Sequence, residues 1–251
     1  MKKHFLPLMA TLLVASACTR TARPLFGHIE VDTLLGPPET RIGVVYDFVT
    51  IANADRNPAL QTIEQANIDY FFGLDSRPAT ARDAVDASLA EITADFLPAP
   101  GSAIRPFVAD YAISASATAE TTDTLLTYTI YRESYTGGAH GMYSTEYHTY
   151  SLKSGEELAI ADLFDEPSRA RIRERIREKL AETYADGQEY DSPDSVLEAN
   201  GFFPADIFVT DNFRVAPEGN ISFYYNPYEI ACYATGAVEV RFDRDELDRL
   251  R

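Results

Sequence analysis

Residues 131–164 read Y-R-E-S-Y-T-G-G-A-H-G-M-Y-S-T-E-Y-H-T-Y-S-L-K-S-G-E-E-L-A-I-A-D-L-F. Three glycines within five residues, Gly137, Gly138 and Gly141, interrupt two runs rich in aromatic and hydroxyl side chains. Glycine adopts positive φ and lets backbones approach closely, where a Cβ would resist both. The segment therefore predicts a sharp elbow between a strand ending at Tyr135 and a second strand of alternating tyrosines over 142–152. A tight turn at 153–156 and a helix-like lead at 158–164 follow. A chain containing this segment is committed to an antiparallel meander that hands over to a helix.

The remaining sequence extends that pattern. Residues 42–51, I-G-V-V-Y-D-F-V-T-I, are β-branched and aromatic and predict a strand, with weaker alternation over 26–35. Leu60, Ile63, Ala66 and Tyr70 have helical spacing, as do Val85, Leu89, Ile92 and Phe96. Thr80, with Asp83 three residues on, marks the start of the second of these helices. Further strands are expected over 107–118, 124–135, 211–215, 220–225 and 237–242. Ile172, Ile176, Leu180 and Tyr184 recur every fourth residue in a long helix over 167–184, and a short helix over 243–250 ends the chain. The fold class expected is α+β: antiparallel sheets with helices packed on one face, in two intimately joined halves, 25–151 and 152–251.

The first seventeen residues are read as a leader. Met1-Lys2-Lys3-His4 is a positive start, and Phe5 to Val14 is an apolar stretch too short to span a bilayer. Ala15-Ser16-Ala17-Cys18 resembles a bacterial lipoprotein cleavage site, with Cys18 the acylated first residue and 18–24 a tether; Ala15-Ser16-Ala17 also satisfies an ordinary secretory A-x-A site. The expectation is a lipid-anchored protein of the cell envelope, facing the periplasm. Cys18 and Cys232 are the only cysteines, so lipidation of Cys18 leaves no disulfide framework. Cys232, among Tyr228, Ile230 and Tyr233, is expected to be a small buried hydrophobe. The formal net charge of −17 argues against nucleic acid and anionic lipid as partners and favours cationic ones.

The elbow S-Y-T-G-G-A-H-G, the L-K-S-G-E-E-L segment after it, and the late F-Y-Y-N-P-Y-E-I-A at 223–231 with Y-A-T-G at 233–236 resemble the extracellular region of RsiV-type anti-sigma factors. They also resemble the non-catalytic domain of PdaC-type peptidoglycan deacetylases. The resemblance runs from about residue 40 onward, with Cys232 standing where the family pattern has proline. It implies a binding module without catalysis of its own, because the deacetylase domain of those relatives is a separate segment. RsiV-type proteins recognise lysozyme, so the resemblance implies a cationic, lysozyme-like or peptidoglycan-associated partner.

Candidate chemistry is sparse. No G-x-S-x-G, P-loop, H-E-x-x-H or C-x-x-C occurs, so no catalytic residue, metal ligand or cofactor is assigned. His140 is either a ligand-binding imidazole presented by the elbow or a ring that locks it. The clustered tyrosines are either core or a groove suited to a protein or sugar. The binding residues expected are Tyr135, Gly137, Gly138, His140, Gly141, Tyr143 and Tyr228. The competing expectation is an enzyme acting on cell-wall polymer. The basic run Arg169, Arg171, Arg173, Arg175, Arg177 and Lys179 is expected to pair with the chain's own carboxylates.

Overall fold

The structure is a computed structural model that describes residues 23–37, 41–97 and 111–251. The leader, Cys18 and the start of the 107–118 strand lie outside the described residues. Strands β1 (Phe26–Leu35) and β2 (Ile42–Ile51) form an antiparallel hairpin. Helices α1 (Pro58–Phe72) and α2 (Ala81–Phe96) follow, and β3 (Tyr111–Thr121) then pairs with β2 in parallel. A helical crossover forces that direction, since parallel neighbours need a long return path. The expected all-antiparallel pairing is thus corrected at this one junction. Strands β4 (Leu125–Tyr135) and β5 (Met142–Ser151) complete a five-stranded sheet in chain order, both antiparallel.

The helix starts are chemically explicit. Asn57 accepts from the amides of Ala59 and Leu60, and Pro58 occupies the first turn. The predicted Thr80 cap accepts from the Asp83 amide at 3.2 Å. Both helices cover the same sheet face: Phe71 packs edge-on against Phe48 of β2, and the Tyr46 and Ser88 hydroxyls bond at 2.9 Å. Val44, Phe48, Ile63, Leu126, Tyr128, Ile130 and Tyr150 are at the centre of this core, each fully buried. The other sheet face is left open, and carries Val45, Ser116, Thr118, Tyr131 and Glu133 to solvent.

A second core begins at Ile160. It comprises α3 (Ile160–Leu163), α4 (Glu166–Tyr184), α5 (Pro193–Ala199), β6 (Phe213–Val215), β7 (Ile221–Tyr225), β8 (Val238–Phe242) and α6 (Arg244–Leu250), with β6-β7-β8 an antiparallel sheet. Ile172, Ile176 and Leu180 bury the predicted stripe of α4. Helix α5 is not anticipated by apolar periodicity, and its start depends on Ser192 capping the Ser195 amide with Pro193 in the first turn. The basic run on α4 largely meets acceptors as expected: Arg175 bonds Glu182 and Glu246, Lys179 pairs with Glu246, and Arg177 with Asp194.

The two sheets meet along β5, through side chains in place of a strand. Asn212 accepts from the Tyr147 amide and donates to the Thr145 carbonyl, both at 2.8 Å. Asn226 accepts from the Thr145 amide at 2.7 Å and donates to the same carbonyl at 3.1 Å. The Thr149 hydroxyl donates to the Phe213 carbonyl at 3.2 Å. Among the described residues no helix is long and apolar enough to cross a membrane.

Candidate functional site

The elbow between β4 and β5 is held by its own side chains. Gly137 and Gly138 have φ of 99° and 100°, which non-glycine residues resist. Gly141 is needed for a different reason: a Cβ there would stand 3.0 Å from the Ser134 carbonyl oxygen. The expectation that at least one of the three glycines holds positive φ is met, at Gly137 and Gly138. Tyr135 donates to the Gly138 carbonyl at 3.1 Å. His140 Nδ1 lies 2.8 Å from the Gly141 carbonyl, an acceptor only, so that nitrogen carries the proton.

The late aromatic segment closes onto this elbow. Tyr233 donates to the same Gly141 carbonyl at 2.8 Å, and its ring stacks on His140 with centroids 3.9 Å apart and planes 19° apart. Tyr143 meets Tyr233 edge-on at 6.2 Å, and its hydroxyl accepts from the Ala237 amide. Tyr228 lies 5.5 Å from Tyr233 and is 53% exposed. It holds φ of 74°, a strained conformation for a bulky residue and one that clusters at functional positions. His140, Tyr143 and Tyr228 are thus brought together around Tyr233. Tyr233 is absent from the expected binding set, although it stands in the same late segment, and nothing in the sequence distinguishes it from its tyrosine neighbours. Tyr135 and Gly137 instead build the elbow.

From this cluster an aromatic line continues along the open sheet face. Tyr131 is 40% exposed and donates to Glu133 at 3.5 Å. Partial burial and the Glu133 carboxylate both push its hydroxyl pKa up. Tyr147 packs edge-on against Tyr224 at 5.8 Å, and the Arg214 guanidinium lies 5.7 Å from the Tyr147 ring centre. Ser114, Ser116 and Thr118 of β3 form a low floor beside these rings, and Glu30 and Asp47 bound it on the far side, paired in register with each other.

A second polar cluster is on the helix-covered face. His148 Nδ1 bonds Glu157 at 2.7 Å, Nε2 faces Glu146 at 3.5 Å, and Tyr70 of α1 stacks on the ring at 3.8 Å. Tyr70 also donates to Glu157 at 2.8 Å, while Arg132 pairs with Glu146 at 2.7 Å and donates to the Tyr70 carbonyl. Burial opposes a charge on His148, but the two carboxylates prevail and hold its pKa above the usual imidazole value. Both ring nitrogens face protein carboxylates and Tyr70 covers one ring face, so the group binds α1 to the sheet and offers little to a substrate. Cys232 is only half-buried, which corrects the expected burial. Its amide donates to the Gly201 carbonyl, and a Cβ on Gly201 would meet its sulfur at 2.7 Å. Hydrogen bonding from Thr235 lowers its thiol pKa. Among the described residues no group of three or more His, Cys, Asp or Glu is placed to hold a metal ion.

Comparison with known proteins places this architecture. A family model described as "Protein of unknown function (DUF3298)" matches residues 161–245. A solved DUF3298 family member from Bacteroides fragilis is 23% identical with a TM-score of 0.74, covering 91% of this chain and 94% of its own. One from Pseudomonas aeruginosa is 17% identical with a TM-score of 0.61, at the same coverages. These likenesses establish a shared fold. No curated protein matches the chain.

Proposed function

We propose that this chain is a non-catalytic binding module of the bacterial envelope, anchored through an acylated Cys18, that recognises a basic, lysozyme-like or peptidoglycan-associated protein. The observation that supports this reading most is the His140–Tyr143–Tyr228–Tyr233 cluster, assembled from segments some ninety residues apart and exposed at Tyr228. Exposed aromatics held rigidly are the usual anchors of protein interfaces. The acidic chain supplies long-range attraction for a cationic partner.

Lysozyme titrated at two salt concentrations tests the recognition. The on-rate should fall as screening shortens from about 10 Å at 0.1 M to about 3 Å at 1 M. Short-range ring contacts should preserve binding at the higher salt. A His140→Ala, Tyr228→Ala double variant should lose affinity by about tenfold or more. Equal binding by parent and variant, abolished by salt in both, would reduce the interaction to non-specific attraction. The anchor has its own test: Cys18→Ser should move the protein out of the membrane fraction and stop uptake of labelled palmitate. A variant that stays with the membrane refutes the lipid.

A further inference from the structure

Most of the basic side chains on α4 have a carboxylate or another protein acceptor. Arg171, for example, gives Nε to the Leu250 carbonyl and Nη2 to the Ser168 hydroxyl. Arg169 and Arg173 keep more of their guanidinium donors free, and both face one groove. Neither has a carboxylate at ion-pair distance among the described residues, in a chain with seventeen more acidic than basic side chains. Arg173 donates Nε to the Ile207 carbonyl at 2.7 Å, and among the described residues its terminal nitrogens have no protein acceptor. Arg169 Nε is buried and has no acceptor among the described residues. Its charge adds a smaller part to the lowering of the Asp165 pKa by the Ser168 hydrogen bonds and the Arg171 charge, without a bond between Arg169 and Asp165. A buried donor without a partner is costly enough to require explanation.

The two arginines are four residues apart, one turn of helix, so their heads share a side. They line an open groove of about 480 Å³ between α4 and residues 205–209. Phe208 on the opposite wall is 44% exposed, and its ring is steadied edge-on by Tyr225 at 5.7 Å. Glu166 and Asp206 also line the groove. A guanidinium fork matches a planar carboxylate bidentately, and an exposed aromatic beside it supplies an apolar contact. These carboxylates and the acidic chain disfavour a dianion more than a monoanion.

We propose that Arg169, Arg173 and Phe208 form a recognition site for a single carboxylate borne on an apolar group, the chemistry of a peptide C terminus. The site lies on α4, apart from the elbow cluster, and does not depend on the function proposed for that cluster.

The test is calorimetric titration of the full chain with N-acetyl-leucine, N-acetyl-leucinamide and inorganic phosphate at one ionic strength. The acid should saturate, and the amide and phosphate should each bind roughly tenfold more weakly or less, the loss expected when a charged hydrogen bond is removed. Arg173→Gln also breaks the bond to Ile207, so Arg169→Gln, which removes no hydrogen bond of the fold, is the decisive variant and should weaken the acid by about tenfold. Phe208→Ala should weaken N-acetyl-leucine but not acetate. Melting curves confirm that each variant is folded. Absence of saturable binding, equal binding of acid and amide, phosphate binding as tight as the acid, or an Arg169→Gln variant that matches the parent would each overturn the site.

Discussion

Single glycines here serve different physical needs, and their variants separate them. At Gly138 an added Cβ meets nothing within 4 Å, so alanine suffers only from the positive φ. Gly138→Ala should cost about 1 kcal/mol and lower Tm by roughly 3 °C in a chain of this size. At Gly155, φ is 79° and a Cβ would stand 2.6 Å from the Ala59 carbonyl oxygen, at the start of α1. Gly155→Ala combines strain with a backbone clash and should cost at least about 3 kcal/mol. Thermal melts of the two variants check the order; equal shifts would mean that α1 yields without cost. The turn at 153–156 is legible from its Lys-Ser-Gly-Glu composition, but the pressure of α1 on it is not, because Ala59 is remote in sequence.

The contact of α1 with β5 makes one pH-dependent joint. Folding raises the His148 pKa, so its contribution is complete below about pH 6.5, the unfolded value, and is lost as pH rises through the folded value. Burial would raise Glu146 and Glu157, but His148 with Arg132 or Tyr70 prevails and holds both low. Their contribution is present above about pH 4.5, the ordinary glutamate value, and is lost as pH falls through the lowered values. The joint is therefore strongest between about pH 4.5 and 6.5. Melting temperatures at pH 5.5 and 8.5 should differ more in the parent than in His148→Gln, with the parent the less stable at the higher pH; an identical dependence in both would remove His148 from the account. Element boundaries were mostly legible because strand and helix periodicities are strong over 42–51 and 172–184. The parallel pairing of β2 with β3 was not, since direction depends on where two helices return the chain. Helix α5 is not legible, because seven residues with only Val196 and Leu197 buried carry too little period. At the candidate site, His140, Tyr143 and Tyr228 were legible from the elbow and the late aromatic run. Their convergence on Tyr233 was not, because it depends on how β5 meets the second half.

At the scale of the whole molecule, two cores are coupled through one strand edge. Asn212 and Asn226 take the place of a sixth strand by satisfying Thr145 and Tyr147. Replacing both with alanine should leave those backbone groups unpaired at about 1–3 kcal/mol each. The parent should then melt in one transition and the double variant in two, as the cores at 42–152 and 160–247 part company; a single unshifted transition in the variant would assign the coupling elsewhere. The same arrangement bears on biogenesis. During synthesis the first sheet emerges well before residue 212, with the outer edge of β5 unpaired and open to strand exchange with another chain. The asparagines that cover it are made only after a further stretch of about sixty residues, 152–211. The nascent chain therefore passes through an interval in which the β5 edge has no partner of its own, and a chaperone that holds extended edges would act there.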